Sequence, residues 1–148
     1  MGFISQRPDK EWNQGPDNLW KMKDNQYLLV ECKNMVYQNR ESINKTETGQ
    51  MNNACAWFNR NYGDMPVKRI MIIPTKKVDP AAGFNFEVEI IKKNNLEKLT
   101  RNVESFYNEF QNLDLNDLSR EIIQEFLDIH KLSVESLLSE YSEMPITN

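Results

Sequence analysis

The chain has 148 residues, 39% hydrophobic and 27% charged, enough to bury a core without disulfide or metal staples. No apolar run approaches the roughly 20 residues of a membrane-spanning helix, so no membrane partner is expected. Two cysteines, Cys32 and Cys55, with the single histidine His130, exclude a disulfide framework and the usual four-ligand zinc site, and point to a reducing, cytoplasmic environment.

The first half reads as short strands with turn punctuation. Met1-Gly2 runs straight into apolar Phe3-Ile4-Ser5, without the helix or loop that commonly opens a domain. That start suggests a piece of a longer protein. A polar stretch then reaches Gly15-Pro16, and Asn18 to Met22 and Tyr27 to Cys32 form a hairpin pattern around Lys23-Asp24-Asn25. The polar run Asn34 to Asn44 lacks periodicity and is expected as a loop. Thr46 to Tyr62 places Met51, Ala54, Cys55, Phe58 and Tyr62 on one helical face, and Gly63 stops it. Lys68 to Ile73 reads as a buried strand closed by Pro74, with a loop over Lys76 to Gly83.

Phe84, Phe86, Val88 and Ile90 alternate with polar residues, the pattern of a half-buried strand. Asn95 to Leu113 is an amphipathic helix, followed by helices over Ser119 to His130 and Ser133 to Tyr141 with the serines as N-caps. The last few residues are expected to fray. The expectation is one α/β domain over residues 1–148, with a mixed central sheet flanked by helices and a C-terminal helical extension over residues 95–148.

Charge divides the same way. Residues 1–77 hold 12 Lys and Arg against 8 Asp and Glu, net +4, and residues 78–148 carry net −8. A pI near 5.1 argues against a protein that coats nucleic acid everywhere, yet permits a local basic surface on the first half. Lys45, Lys68, Arg69, Lys76 and Lys77 are its candidate phosphate contacts, together with Arg7, Lys10, Lys21, Lys23 and Arg40. For any one of them the competing reading is a solvated surface of mixed charge.

Asp17, Glu31 and Lys33 carry the chemistry. Alternate strand residues share a face about 7 Å apart, so Glu31 and Lys33 point together while Cys32 points with Val30 and Leu28. A two-residue turn at Asp24-Asn25 sets Asp17 opposite Cys32, on the wrong face. A three-residue loop over Lys23-Asp24-Asn25 sets it opposite Glu31, with Trp20, Met22, Leu28, Val30 and Cys32 forming one apolar face. The other face carries Asp17, Lys21, Glu31 and Lys33, with Leu19 and Leu29 as intruders. Burial favours the three-residue loop.

Two converging carboxylates suit a hard divalent cation such as Mg²⁺ or Mn²⁺, and a nearby ammonium balances charge developing on a phosphate. The competing reading is an exposed sheet end with an ordinary salt bridge.

Pro16-Asp17, then Glu31-Cys32-Lys33, followed by a helix with Gln50 in Thr48-Gly49-Gln50-Met51 and then a strand, resembles the PD-(D/E)XK nuclease superfamily, the restriction-endonuclease-like fold. The likeness covers roughly residues 3–75. It implies a metal-dependent nuclease acting on DNA, with Asp17 and Glu31 as metal ligands and the Cys32 backbone carbonyl as a further one. Lys33 would be the catalytic lysine, and Gln50 would orient substrate or the attacking water. The family's additional glutamate, on a helix before the first core strand, has no counterpart here; Glu11 is the nearest substitute. The resemblance extends to nuclease domains attached to helicases or defence proteins, so a helicase or other domain of the same parent chain is an expected partner, and a homodimer is left open.

Two other readings stay open. One is a non-catalytic nuclease-like module that binds DNA or docks a partner domain, and the other is an interaction domain whose acidic helices bind a basic partner. Trp57 is read as core rather than as a base-stacking platform. Cys32 and Cys55 are read as small apolar fillers, and His130 as structural.

Overall fold

A computed structural model describes residues 3–33, 40–114, 116 and 118–147. The strands are β1 (Ile4–Gln6), β2 (Asn18–Lys21), β3 (Tyr27–Cys32), β4 (Val67–Ile72) and β5 (Glu89–Ile91). The helices are α1 (Pro8–Glu11), α2 (Lys45–Tyr62), α3 (Lys93–Phe110), α4 (Arg120–Ile129) and α5 (Val134–Ser139). The strands form one mixed sheet in the order β1-β2-β3-β4-β5. The first three pair antiparallel, while β3 with β4 and β4 with β5 pair parallel. This is the expected α/β architecture with a mixed sheet and a C-terminal helical extension.

The β2–β3 hairpin has the register that burial favours. Asn18 pairs with Val30, Leu19 with Leu29 and Trp20 with Leu28, and the Met22 N–H donates to the Gln26 carbonyl across Lys23-Asp24-Asn25. Asp24 and Asn25 both take positive φ, which these short polar side chains tolerate.

The assignment of faces needs correction. Leu19 and Leu29, expected as intruders on a polar face, are 1% and 0% exposed and sit in the main core. Their face packs against α2 through Met51, Ala54, Cys55 and Phe58, joined by Tyr27, Met71 and Ile90. Leu28, Val30 and Ile70 on the opposite face are buried too. The unbroken apolar run Tyr27-Leu28-Leu29-Val30 is the signature of a strand covered on both sides, where strict alternation disappears.

The connection from β3 through α2 to the parallel strand β4 carries the chain back along the sheet, so α2 starts at the end where β3 finishes. Its N-terminus is fixed by a reciprocal capping box: the Asn44 side chain accepts the Glu47 N–H at 3.0 Å, and Glu47 accepts the Asn44 N–H at 2.9 Å. Arg40 donates to Glu47 at 2.7 Å and to the Ser42 carbonyl, tying residues 40–44 to the helix. Neither the box nor the Arg40 contact was anticipated, although Asn44-Lys45-Thr46-Glu47 spells the box.

Three sequence expectations fail for identifiable reasons. The polar stretch after β1 contains a helix, α1, opened by Pro8 at its first turn. Only Glu89 and Ile90 of the alternating Phe84–Ile90 segment fall in a strand; near its start the Asn52 side chain of α2 accepts the Asn85 N–H and donates to the Gly83 carbonyl. The described residues at the C-terminal end are held in place. Glu143 bridges Ile90 and Ile146 bridges Lys77, and Glu143 holds Lys76 and Lys92, the latter at 2.8 Å.

The chain separates into two compact units, one running to Lys93 and resuming at Glu143, the other spanning Asn94–Ser142. Within the second, Tyr141 is buried, accepts from Asn102 at 2.7 Å and donates to the Lys131 carbonyl. Ser119 and Ser133 cap α4 and α5 as expected. His130 caps the end of α4 and lies 3.2 Å from Glu109 and edge-on to Phe106, a structural role. No described helix is long and apolar enough to cross a membrane.

Candidate metal and phosphate site

The site begins at Gly15. Its φ of +88° suits glycine, and a Cβ there would come within 2.7 Å of the Trp57 indole. This close approach delivers buried Pro16 and then Asp17 to the start of β2. One step beyond the Asn18–Val30 pair, Asp17 lies opposite Glu31. Asp17 Oδ2 accepts the Cys32 backbone N–H at 2.6 Å, locking the carboxylate onto the end of β3.

Glu31 is 8% exposed and faces α2 with Leu29. Lys33 follows two residues later on the same face, its backbone N–H still bonded to the Ile72 carbonyl at 3.0 Å. Lys33 Nζ donates to Glu31 Oε1 at 2.6 Å, and the two side chains are only 12% and 11% exposed. The sheet end is therefore not exposed, while the Glu31–Lys33 salt bridge of the competing reading is present. Burial pushes the Glu31 carboxyl above its usual range; the Lys33 hydrogen bond and charge oppose that, the Asp17 charge adds to it, and the Asp17 backbone N–H opposes it. The two carboxylates are thus close enough to repel, in a place poor in water.

Burial, reinforced by the Asp17 and Glu31 charges, pushes the Cys32 thiol up to about 11, and burial pushes Cys55 to about 12. Neither is a thiolate nucleophile near neutral pH.

The donor set fits a hard cation. Mg²⁺ is commonly held by one or two carboxylates together with waters and substrate phosphates, not by a full protein cage. Asp17 and Glu31 supply the two carboxylates, and Cys32, whose carbonyl is the further candidate donor, directly follows Glu31. Among the described residues no group of three or more His, Cys, Asp or Glu side chains is placed to hold a metal ion. Glu11 accepts the Arg7 N–H at 2.9 Å within α1. Asp9, which sequence reasoning passed over, bonds through its N–H to the Pro16 carbonyl at 3.3 Å, and its Oδ1 is buried without a hydrogen-bond partner. The Pro8-Asp9 start of a short helix was its available signal.

Gln50 lies on the exposed side of α2, beside buried Met51. The predicted phosphate contacts diverge in state. Lys45 and Lys77 are exposed. Lys68 is 2.7 Å from Glu89, Arg69 lies over the Phe86 ring at 5.1 Å, and Lys76 pairs with Glu143, so these three are engaged by their own protein. Of the polar loop over residues 34–44, residues 34–39 lie outside the described residues, as do Met1 and Gly2 at the start. No protein-family model matches the chain, nor does any curated protein or solved structure, so its function is read from the geometry of Asp17, Glu31 and Lys33.

Proposed function

We propose that the chain is a Mg²⁺- or Mn²⁺-dependent nuclease of the PD-(D/E)XK type that hydrolyses DNA phosphodiester bonds, built on a restriction-endonuclease-like sheet. The observation that carries this reading is the meeting of Asp17 and Glu31 across adjacent strand ends, with Lys33 2.6 Å from Glu31. Asp17, Glu31 and the Cys32 carbonyl would hold the ion, which supplies Lewis-acid polarisation of a phosphoryl oxygen and activation of water. Lys33 places its Nζ in a water-poor position, where a cation acts most strongly on a phosphate. Gln50, on the helix that starts at this end of the sheet, orients substrate. Lys45 and Lys77 contribute phosphate contacts, with Lys68, Arg69 and Lys76 secondary because each already has an internal partner. A domain of this size fits a catalytic module joined to a helicase or other domain of one parent chain.

The test is direct. Supercoiled and linear DNA should be nicked or cut with Mg²⁺ or Mn²⁺, and Glu31→Ala and Lys33→Ala should each abolish cutting while the circular dichroism spectrum is unchanged. Cutting by both variants at the rate of the parent protein refutes the site. A second reading, a non-catalytic nuclease-like module that binds DNA, is favoured by the pairing of only two carboxylates with an already satisfied Lys33. DNA binding without cutting under any divalent ion selects it.

A further inference from the structure

A second concave site lies on the same unit, on the flank of α2 towards α1. Its cavity measures ≈520 Å³ and is lined by Gln6, Trp12, Gln14, Trp57, Asn61 and Tyr62. That volume falls within the range of small-molecule sites, about 300–1,000 Å³. None of the six lining residues is charged. Three are aromatic and three are amides.

Trp12 is 49% exposed, an unusual position for so large an apolar ring. It is stacked on Trp57 with ring centroids 6.0 Å apart and planes 25° apart. Trp57 is itself held by the Gly15 backbone and by Tyr62, so Trp12 rests on a rigid backing. The amides are oriented as well. The Tyr62 hydroxyl donates to Gln6 Oε1 at 2.9 Å, which leaves the Gln6 NH₂ as the group presented for donation. Asn61 Nδ2 donates to the Trp57 carbonyl at 2.8 Å, which leaves Asn61 Oδ1 as an acceptor. A stacking surface flanked by an oriented donor and an oriented acceptor suits the face and edge of a nucleobase.

Charge outside the pocket points the same way. Arg7 and Lys10 pair with Asp9 at 4.0 and 3.8 Å yet stay 57% and 68% exposed, and they precede Trp12 in and next to the short helix α1. The chain that touches Trp57 at Gly15 reaches Asp17 two residues later, a separation of at most about 7 Å. Gly15-Pro16-Asp17 thus links the Trp57 backing of this pocket to the proposed metal ligands.

We infer that the Trp12–Trp57 pocket binds an unpaired base of single-stranded DNA. This deepens the nuclease reading and rests on it for the choice of DNA as the polymer: the substrate class is then DNA with a single-stranded segment, because a base within a duplex cannot present its face to Trp12.

Binding is measured in EDTA, where metal-dependent cutting cannot contribute, by fluorescence anisotropy of a short labelled oligo(dT) and of its blunt duplex with oligo(dA). The protein should bind oligo(dT) with quenching of tryptophan emission. Trp12→Ala should weaken that binding about 10-fold, Trp12→Phe should restore most of it, and duplex affinity should change by less than about 2-fold. Trp12 is exposed, so its replacement leaves the core intact. Absence of oligo(dT) binding, unchanged affinity in Trp12→Ala, or an equal loss for duplex overturns the inference. So does binding of a neutral glucan oligosaccharide with the same Trp12 dependence, which assigns the pocket to a sugar. A protein that binds oligo(dT) through Trp12 yet cuts no DNA with any divalent ion keeps the base pocket and loses the nuclease reading. One that cuts DNA through Glu31 with Trp12→Ala binding unaltered does the reverse.

Discussion

Replacing Lys33 by methionine removes the cation that lies 2.6 Å from Glu31 while keeping most of the side-chain volume. Both members of the pair are about nine-tenths buried, so the variant leaves a carboxylate without its partner in a site poor in water. Breaking a buried pair in this manner costs about 3–5 kcal/mol, and retained contact of Glu31 with the Asp17 N–H places the expectation near the lower figure. At roughly 3 °C per kcal/mol for a chain of this length, the melting temperature should fall by about 10 °C.

The loss carries a pH signature. Glu31 already titrates above its ordinary value of 4.5 through burial, and removing Lys33 raises it further. A raised carboxyl adds stability in its protonated form, fully present below 4.5 and lost as pH rises through the folded-state value. The deficit of Lys33→Met should therefore be largest near neutral pH and shrink as pH falls. Mn²⁺ held by Asp17 and Glu31 stabilises both proteins, but in the variant it also replaces the missing charge and binds more tightly, so it should reduce the deficit as well. Differential scanning fluorimetry over pH, with and without Mn²⁺, reads all three effects. A fall of less than about 2 °C, or a deficit unaffected by both pH and Mn²⁺, would refute the reasoning.

Other consequences follow from single contacts. Gly15→Ala should destabilise by about 1–3 kcal/mol in urea unfolding, because a Cβ would meet the Trp57 indole and the backbone has φ of +88°. Leu29→Ala should cost about 2–5 kcal/mol, as expected for a side chain fully enclosed between sheet and α2; a loss under about 1 kcal/mol would put it on an exposed face. Hydrogen bonds from Lys76 and Lys92 hold the Glu143 carboxyl below its usual value of 4.5. Its stabilisation is therefore present above that value and is lost as pH falls through the lower folded-state value. Glu143→Gln should cost about 1 kcal/mol at neutral pH, with the difference from the parent protein vanishing in acid.

What was legible in the sequence follows from how local the signals are. The hairpin register was recoverable from the two strands and their turn alone, since a three-residue loop over Lys23-Asp24-Asn25 sets Asp17 opposite Glu31, although Glu31 then lies with buried Leu29 and not on a polar face. The faces were misread because Leu19 and Leu29 reveal their role only when α2 lies over them, and a strand buried on both sides has no polar face to mark. The segment from Phe84 alternates like a strand, yet its Asn85 N–H goes to the side chain of Asn52, a long-range partner that no periodicity reports. The C-terminal pairing of Ile146 with Lys77 is equally non-local. At the site, spacing along β3 sufficed for Glu31 and Lys33. The engagement of Lys68 by Glu89 and of Lys76 by Glu143, which removes them from the front rank of phosphate contacts, depends on partners 21 and 67 residues away.

Calorimetric titration with Mn²⁺ probes the two carboxylates most directly. The parent protein should take up the ion at one site, and Asp17→Asn and Glu31→Gln should each abolish that uptake while remaining folded. No heat of binding in the parent protein, or equal uptake in both variants, would contradict a metal centre at the meeting of β2 and β3.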